Sequence, residues 1–165
     1  MDRGLPHGEF TVAREYDLPP AVVWDALTDP ALLEGWLGAG ISDAEVGGTF
    51  VLDWLDPHHH GAAVAGEIVL LEPRSQLLVR AMEYSMAMLI DELPHGARGS
   101  STRLTLSARL PAGRHSEREE IAHWRAHLEA LEDLLRGHPV VWERWDADYG
   151  EATRAFLAET RTTAR

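Results

Sequence analysis

The chain has 165 residues, with 15 basic against 27 acidic side chains for a net charge of −12, and 45% of it is hydrophobic. That length suits one domain, and so much apolar surface excludes a disordered or collagen-like chain. All the basic charge is arginine, too sparse among the carboxylates for nucleic-acid binding, and the absence of cysteine excludes disulfides, thiol catalysis and thiolate-held zinc.

Met1 to Gly8 holds no apolar signal core, and no stretch approaches the roughly 20 apolar residues of a membrane span, so a cytoplasmic protein is the expectation. From Phe10 to Leu18, Phe10, Val12, Tyr16 and Leu18 alternate on one face, interrupted by Arg14, which predicts a strand. Pro19-Pro20 ends it and opens a short helix, Pro20 to Leu27, with Val23, Trp24 and Leu27 inward. Asp29 as N-cap and Pro30 at the first helical position start a second short helix bearing Leu32, Leu33, Trp36 and Leu37. Gly47-Gly48 turns the chain into a strand from Thr49 to Leu55, where Phe50, Leu52 and Trp54 share a face.

The loop Asp56 to Gly61 follows, then strands over Ala63 to Leu71, Gln76 to Tyr84 and Met86 to Leu93, the first two separated by the turn Glu72-Pro73-Arg74-Ser75. Ser101 to Leu110 alternates Leu104, Leu106, Ala108 and Leu110 with Arg103, Thr105, Ser107 and Arg109, the pattern of a half-buried strand. Glu117 to Arg136 is the strongest helix: Ser116 and Glu119 form a capping box, and Gly137 and Pro139 stop it. Its stripe of Ile121, Trp124, Leu128, Leu131 and Leu135 needs an apolar surface, and only the strand meander is large enough. The pattern therefore predicts an α+β fold, a curved antiparallel sheet wrapped around one long helix. Trp142, Trp145, Tyr149, Ala152 and Phe156 predict a further helix within Val141 to Thr160. The whole, 1–165, reads as one domain with a core over about 10–137 and a helical extension over 138–165.

The first strand, the run Pro20 to Pro30 and then Trp36 resemble the N-terminal signature of the START-like (SRPBCC) superfamily. Within it, Val46-Gly47-Gly48-Thr49-Phe50, Gly66-Glu67-Ile68, Glu72-Pro73, Ser101 to Leu106 and Trp124 to Leu135 are similar to the branch containing the C-terminal domain of the heat-shock protein 90 ATPase activator. The resemblance covers residues ~10–137 and implies a helix-grip fold with a cavity between sheet and long helix. It supplies no fixed catalytic set, and it assigns no role to Pro57-His58-His59-His60 or to the chain after Gly137.

Within such a grip, Trp54, Met82, Tyr84, Met86, Met88 and Trp124 are the candidate pocket lining, since Met and aromatic side chains suit an adaptable apolar site. His127 lies about 70° from the centre of the helical stripe at ~100° per residue, so it is expected to be half-buried and able to orient a ligand or move protons. Glu67 and Glu83 are expected to face solvent or pair with Arg80. Glu120, His123 and His127 share a helix face and can in principle ligate one ion. The spacing provides no fourth ligand, however, so neither a metal nor any other cofactor is expected, and no catalytic residue is assigned. There is no nucleophile elbow, phosphate loop or dinucleotide glycine pattern.

The expected function is non-enzymatic binding of a small apolar ligand between sheet and long helix. A polyketide cyclase or aromatase-like enzyme using His127 or Tyr84 is the alternative. A chaperone ATPase activator-like interaction module is the third reading, weakened by the lack of a recognisable N-terminal domain of that protein. Partners beyond the ligand are a second copy, through exposed aromatics of Val141 to Phe156, and neither nucleic acid nor inserted membrane.

Overall fold

A computed structural model describes residues 8–58, 64–82, 84–97, 99–110 and 117–162. Seven strands form one antiparallel sheet: β1 (Gly8–Tyr16), β2 (Gly38–Ser42), β3 (Thr49–Trp54), β4 (Val64–Glu72), β5 (Gln76–Arg80), β6 (Ser85–Leu93) and β7 (Ser101–Leu110). Their spatial order is β1-β7-β6-β5-β4-β3-β2, so the meander runs from β2 to β7 and the first strand closes onto the last. Between β1 and β2 lie α1 (Pro20–Thr28) and α2 (Pro30–Leu33), and after β7 come α3 (Glu117–Leu135) and α4 (Trp145–Thr162), joined through a 3-10 turn at Trp142–Arg144. This is the α+β helix-grip arrangement that the sequence predicts: a curled half-barrel of strands with a long C-terminal helix against it. None of the described helices is long and apolar enough to cross a membrane.

One face of the sheet supplies the core. Phe10, Val12, Tyr16, Phe50, Leu52, Ile68, Leu77, Val79, Met86, Met88, Leu104 and Leu106 are buried, and they meet Trp124, Leu128 and Leu131 of α3. Removing this apolar surface from water, at roughly 25 cal/mol per Å², is the main force holding helix to sheet. Arg14, which breaks the alternation of β1, keeps to the inner face at the sheet's rim, where its guanidinium pairs with Glu132 of α3. Tyr16 fixes the same junction by donating its hydroxyl to the Leu128 carbonyl oxygen at 2.8 Å. Burial raises the Tyr16 phenol above its ordinary range, so it stays a donor at any ordinary pH.

The local signals act as expected at several ends. The Asp29 carboxylate accepts from the Ala31 amide at 2.9 Å, with Pro30 at the first helical position. Gly47 has φ 84°, and a Cβ on Gly48 would lie 2.2 Å from the Asp43 carbonyl oxygen, so the entry to β3 requires this pair. α3 ends in a Schellman motif, with the Gly137 amide donating to the Leu134 carbonyl and the His138 amide to that of Asp133, both at 2.8 Å. The Ser116 half of the expected capping box lies outside the described residues.

Beyond shifts at element ends, such as α2 stopping at Leu33 and leaving Trp36 and Leu37 past it, two segments differ from expectation. Gly38–Ser42 is a strand that its composition conceals; it forms because it pairs in register with Thr49–Trp54. The strand expected to continue to Tyr84 ends at Arg80, where the chain reverses and the Ala81 amide donates to the Tyr84 carbonyl at 2.8 Å. No glycine or proline marks that hairpin, and the alternating apolar residues run through it.

Candidate functional site

β3 ends at Trp54, and two residues on the chain turns on Asp56, whose carboxylate accepts from the His58 amide at 3.2 Å. This turn carries Asp56 inward, where its residue is 3% exposed. There it meets the two histidines of α3. His123 Nε2 lies 3.0 Å from Asp56 Oδ2, and His127 Nε2 lies 3.3 Å from Asp56 Oδ1. Residues four apart on a helix share a face, so both rings reach one carboxylate.

His127 is fully buried rather than half-buried. The difference comes from α4, which covers the side of α3 away from the sheet. The rings of Trp54, Trp124, Trp142 and Trp145 stand around His127 with centroids 4.6–6.4 Å away. Its Nδ1 donates to the Trp36 carbonyl oxygen at 2.8 Å, which orients the ring with Nε2 toward Asp56. The Trp36 indole donates in turn to the Ala26 carbonyl, tying the histidine's support to α1. His123 is partly exposed; burial lowers its pKa below the ordinary histidine value, opposed by its hydrogen bond to Asp56 and reinforced by neighbouring His127.

His123 also forms part of the wall of a cleft of about 350 Å³ between α3 and α4. Glu119, Glu120 and Asp146 bring carboxylates to it, and His58 and Arg154 bring basic groups. Trp145, Ala126 and Leu157 form its apolar patch. His58 and Asp146 pair with each other through His58 Nε2. Arg118 binds the two helices at this end, donating to the Phe156 and Leu157 carbonyl oxygens at 3.3 and 2.8 Å.

The residues expected to line a pocket between sheet and helix separate into different environments. Met86, Met88 and Trp124 are 2%, 1% and 1% exposed, packed in the core. Met82 sits at the β5–β6 reversal with its side chain in solvent and not between sheet and helix; the expected continuation of β5 would have placed it on a sheet face. Trp54 is half-buried and touches Trp124 edge to face at 5.4 Å and His127 at 5.4 Å, so it belongs with the Asp56 cluster. Tyr84 is half-buried, and burial, then the Glu120 carboxylate, raises its phenol pKa. Glu67 and Arg80 are exposed register partners across β4 and β5. Glu83, His59 and His60 lie outside the described residues. Asp56 was missed by the sequence reading: it stands 67 and 71 positions from the histidines, and only its place just after a predicted strand distinguishes it.

A family model described as Activator of Hsp90 ATPase homolog 1-like protein matches residues 17–136. No curated protein matches the chain. Among solved structures, the chain is similar to CalU16 from Micromonospora echinospora, with 24% identity over 90% of this chain and 88% of that one and a TM-score of 0.61. NE0264 from Nitrosomonas europaea shares 22% identity over 83% of this chain and 97% of that one, with a TM-score of 0.64. DynU16, a protein in the dynemicin biosynthetic locus, shares 25% identity over 79% of this chain and 48% of that one, with a TM-score of 0.63. The likenesses to CalU16 and NE0264 show the fold.

Proposed function

This chain belongs to the Activator of Hsp90 ATPase homolog 1-like family, and from that premise we propose that it binds a small molecule in the cleft between α3 and α4. The observation that carries the reading is the cleft itself: its volume of about 350 Å³ falls within the ~300–1,000 Å³ of typical small-molecule sites, and it combines an apolar patch with converging polar groups. Three carboxylates against one arginine favour a neutral or cationic ligand. Its apolar body would rest on Trp145 and Leu157, and its polar groups would face His123 and Glu120. In this reading the ligand lies outside the tightly packed interface between α3 and the sheet, whose Met86, Met88 and Trp124 do not line the cleft.

Titration with the neutral solvatochromic dye Nile red tests this reading. One saturable site is expected, weakened at least about tenfold by Leu157→Asp, because a charge set into the apolar patch must be desolvated when the dye binds. Binding that does not saturate, or that is indifferent to Leu157→Asp in a folded variant, would sink the proposal.

An enzyme of the cyclase type is the second reading, favoured by the Asp56–His123 pair at the cleft wall. A carboxylate that orients a partly exposed imidazole is a general-base arrangement. The genomic setting of DynU16 is consistent with small-molecule biosynthesis among structural relatives.

A further inference from the structure

We propose that Asp56, His123 and His127 form a binding site for a single divalent transition-metal ion of the zinc or ferrous class. The carboxylate and the two imidazoles come from two separated parts of the chain, and one ligand atom from each lies within 4.8 Å of the others. Bonds of about 2.0–2.1 Å at tetrahedral angles put ligand atoms about 3.3 Å apart. His123 Nε2 lies 3.0 Å from Asp56 Oδ2 and His127 Nε2 3.3 Å from Asp56 Oδ1, separations close to that edge, so an ion drawing on the two imidazoles and either carboxylate oxygen asks for side-chain shifts and no backbone change.

The surroundings are those of a metal site. Ligating histidines usually donate their second ring nitrogen to a carbonyl or carboxylate, which fixes orientation and raises basicity. His127 does this through Nδ1 to the Trp36 carbonyl. The Asp56 turn is held by the His58 amide, and indole rings around His127 exclude water from the inner side. Two imidazoles and one carboxylate favour zinc or ferrous iron over magnesium or calcium, which prefer oxygen ligands. Three protein ligands leave a position for water or a ligand group, as catalytic rather than structural zinc sites do. His123 also lines the cleft, so the ion site and the cleft share one wall.

The test uses the full chain and the metal alone, so it stands or falls separately from ligand binding. Calorimetric titration with zinc is expected to give one ion per chain, and Co(II) to give the visible bands of a low-coordinate nitrogen and oxygen site. Loss of a supporting contact outside the ligand set typically costs about 10–100-fold in affinity, so His123→Ala should cost on the order of 100-fold. His123 is partly exposed and the variant is expected to fold, whereas Asp56→Asn alters a buried group. His95→Ala, on an exposed loop, should leave binding unchanged. Nitrogen NMR of the wild type provides a readout without substitution: zinc should move the Nε2 resonances of His123 and His127. Several weak ions per chain, undiminished tight binding in folded His123→Ala, or ring resonances that stay in place would each overturn the assignment.

Discussion

The imidazole of His127 and the indole of Trp145 lie with ring centroids 4.6 Å apart and planes tilted by 34°. A residue of the C-terminal extension thus closes over a side chain at the centre of the domain. Trp145 is buried and stacks further on Trp142 and Tyr149, at 5.5 and 4.7 Å. The extension is therefore part of the folded core of the domain.

Comparing two tryptophans separates packing from binding. Trp124→Ala removes a side chain 1% exposed between sheet and α3, and truncating a buried large aromatic typically costs about 3–5 kcal/mol. Because Trp124 does not line the α3–α4 cleft, dye affinity should be preserved in the folded fraction. Trp145→Ala should cost about 3 kcal/mol and also weaken dye binding, since its indole forms part of the cleft wall. Urea unfolding and dye titration on both variants check the contrast. Equal effects on binding would place the ligand elsewhere.

Acid should destabilise the protein through His123. Its folded pKa is lowered, chiefly by burial, from the ordinary 6.5. Above that value neither state is protonated there, and the full stability is present. As pH falls from about 6.5 toward the folded value, the unfolded chain takes up a proton that the folded chain refuses, so stability declines through that window. The comparison is with His123→Gln, in urea midpoints from neutral to mildly acidic pH. The wild type should lose stability relative to the variant on acidification; a relative gain would show that the attraction of Asp56 outweighs burial.

Gly137→Ala isolates a backbone effect. Gly137 has φ 91°, and nothing lies within 4 Å of where a Cβ would be, so the substitution creates conformational strain without a clash. A loss of about 1 kcal/mol is expected from forcing an L-residue into the left-handed region. Denaturant unfolding measures it, and no loss would mean that the helix end relaxes out of the Schellman geometry.

The fold was legible where a residue's neighbours in sequence carry the signal. Periodicity located α3, β7 and the inward face of β3, and proline, aspartate and glycine marked their ends. What escaped depends on residues distant in the chain. β2 reads Gly-Ala-Gly-Ile-Ser, with Ile41 as its single branched residue and no aromatic one, and pairing to β3 makes it a strand. Met82 follows the alternation of β5 but stands at a reversal without turn residues. His123 and His127 were visible as neighbours on a helix, whereas their common partner Asp56 comes from the other side of the sheet's meander, a relation that no spacing along α3 encodes. The single apolar stripe of α3 leaves His127 at its edge, whereas Ala122, Ala126 and Ala130 form a second buried face that carries no apolar periodicity of large side chains.

α4 is fastened at both ends. Near its start, the Val140 amide donates to the Gly35 carbonyl and the Trp142 indole to that of Glu34; near its end, Arg118 grips two successive carbonyls. A helix tethered in this way cannot swing outward as a lid without breaking both sets of contacts. Traffic through the cleft must then pass by rearrangement of side chains, foremost the His58–Asp146 pair, which is exposed and sits in its wall. Rotamer changes of exposed side chains take picoseconds to nanoseconds, whereas helix displacement takes microseconds to milliseconds. On the small-molecule reading proposed above, no helix movement has to precede exchange, and residence time is set by how well an occupant fits a vessel of fixed width.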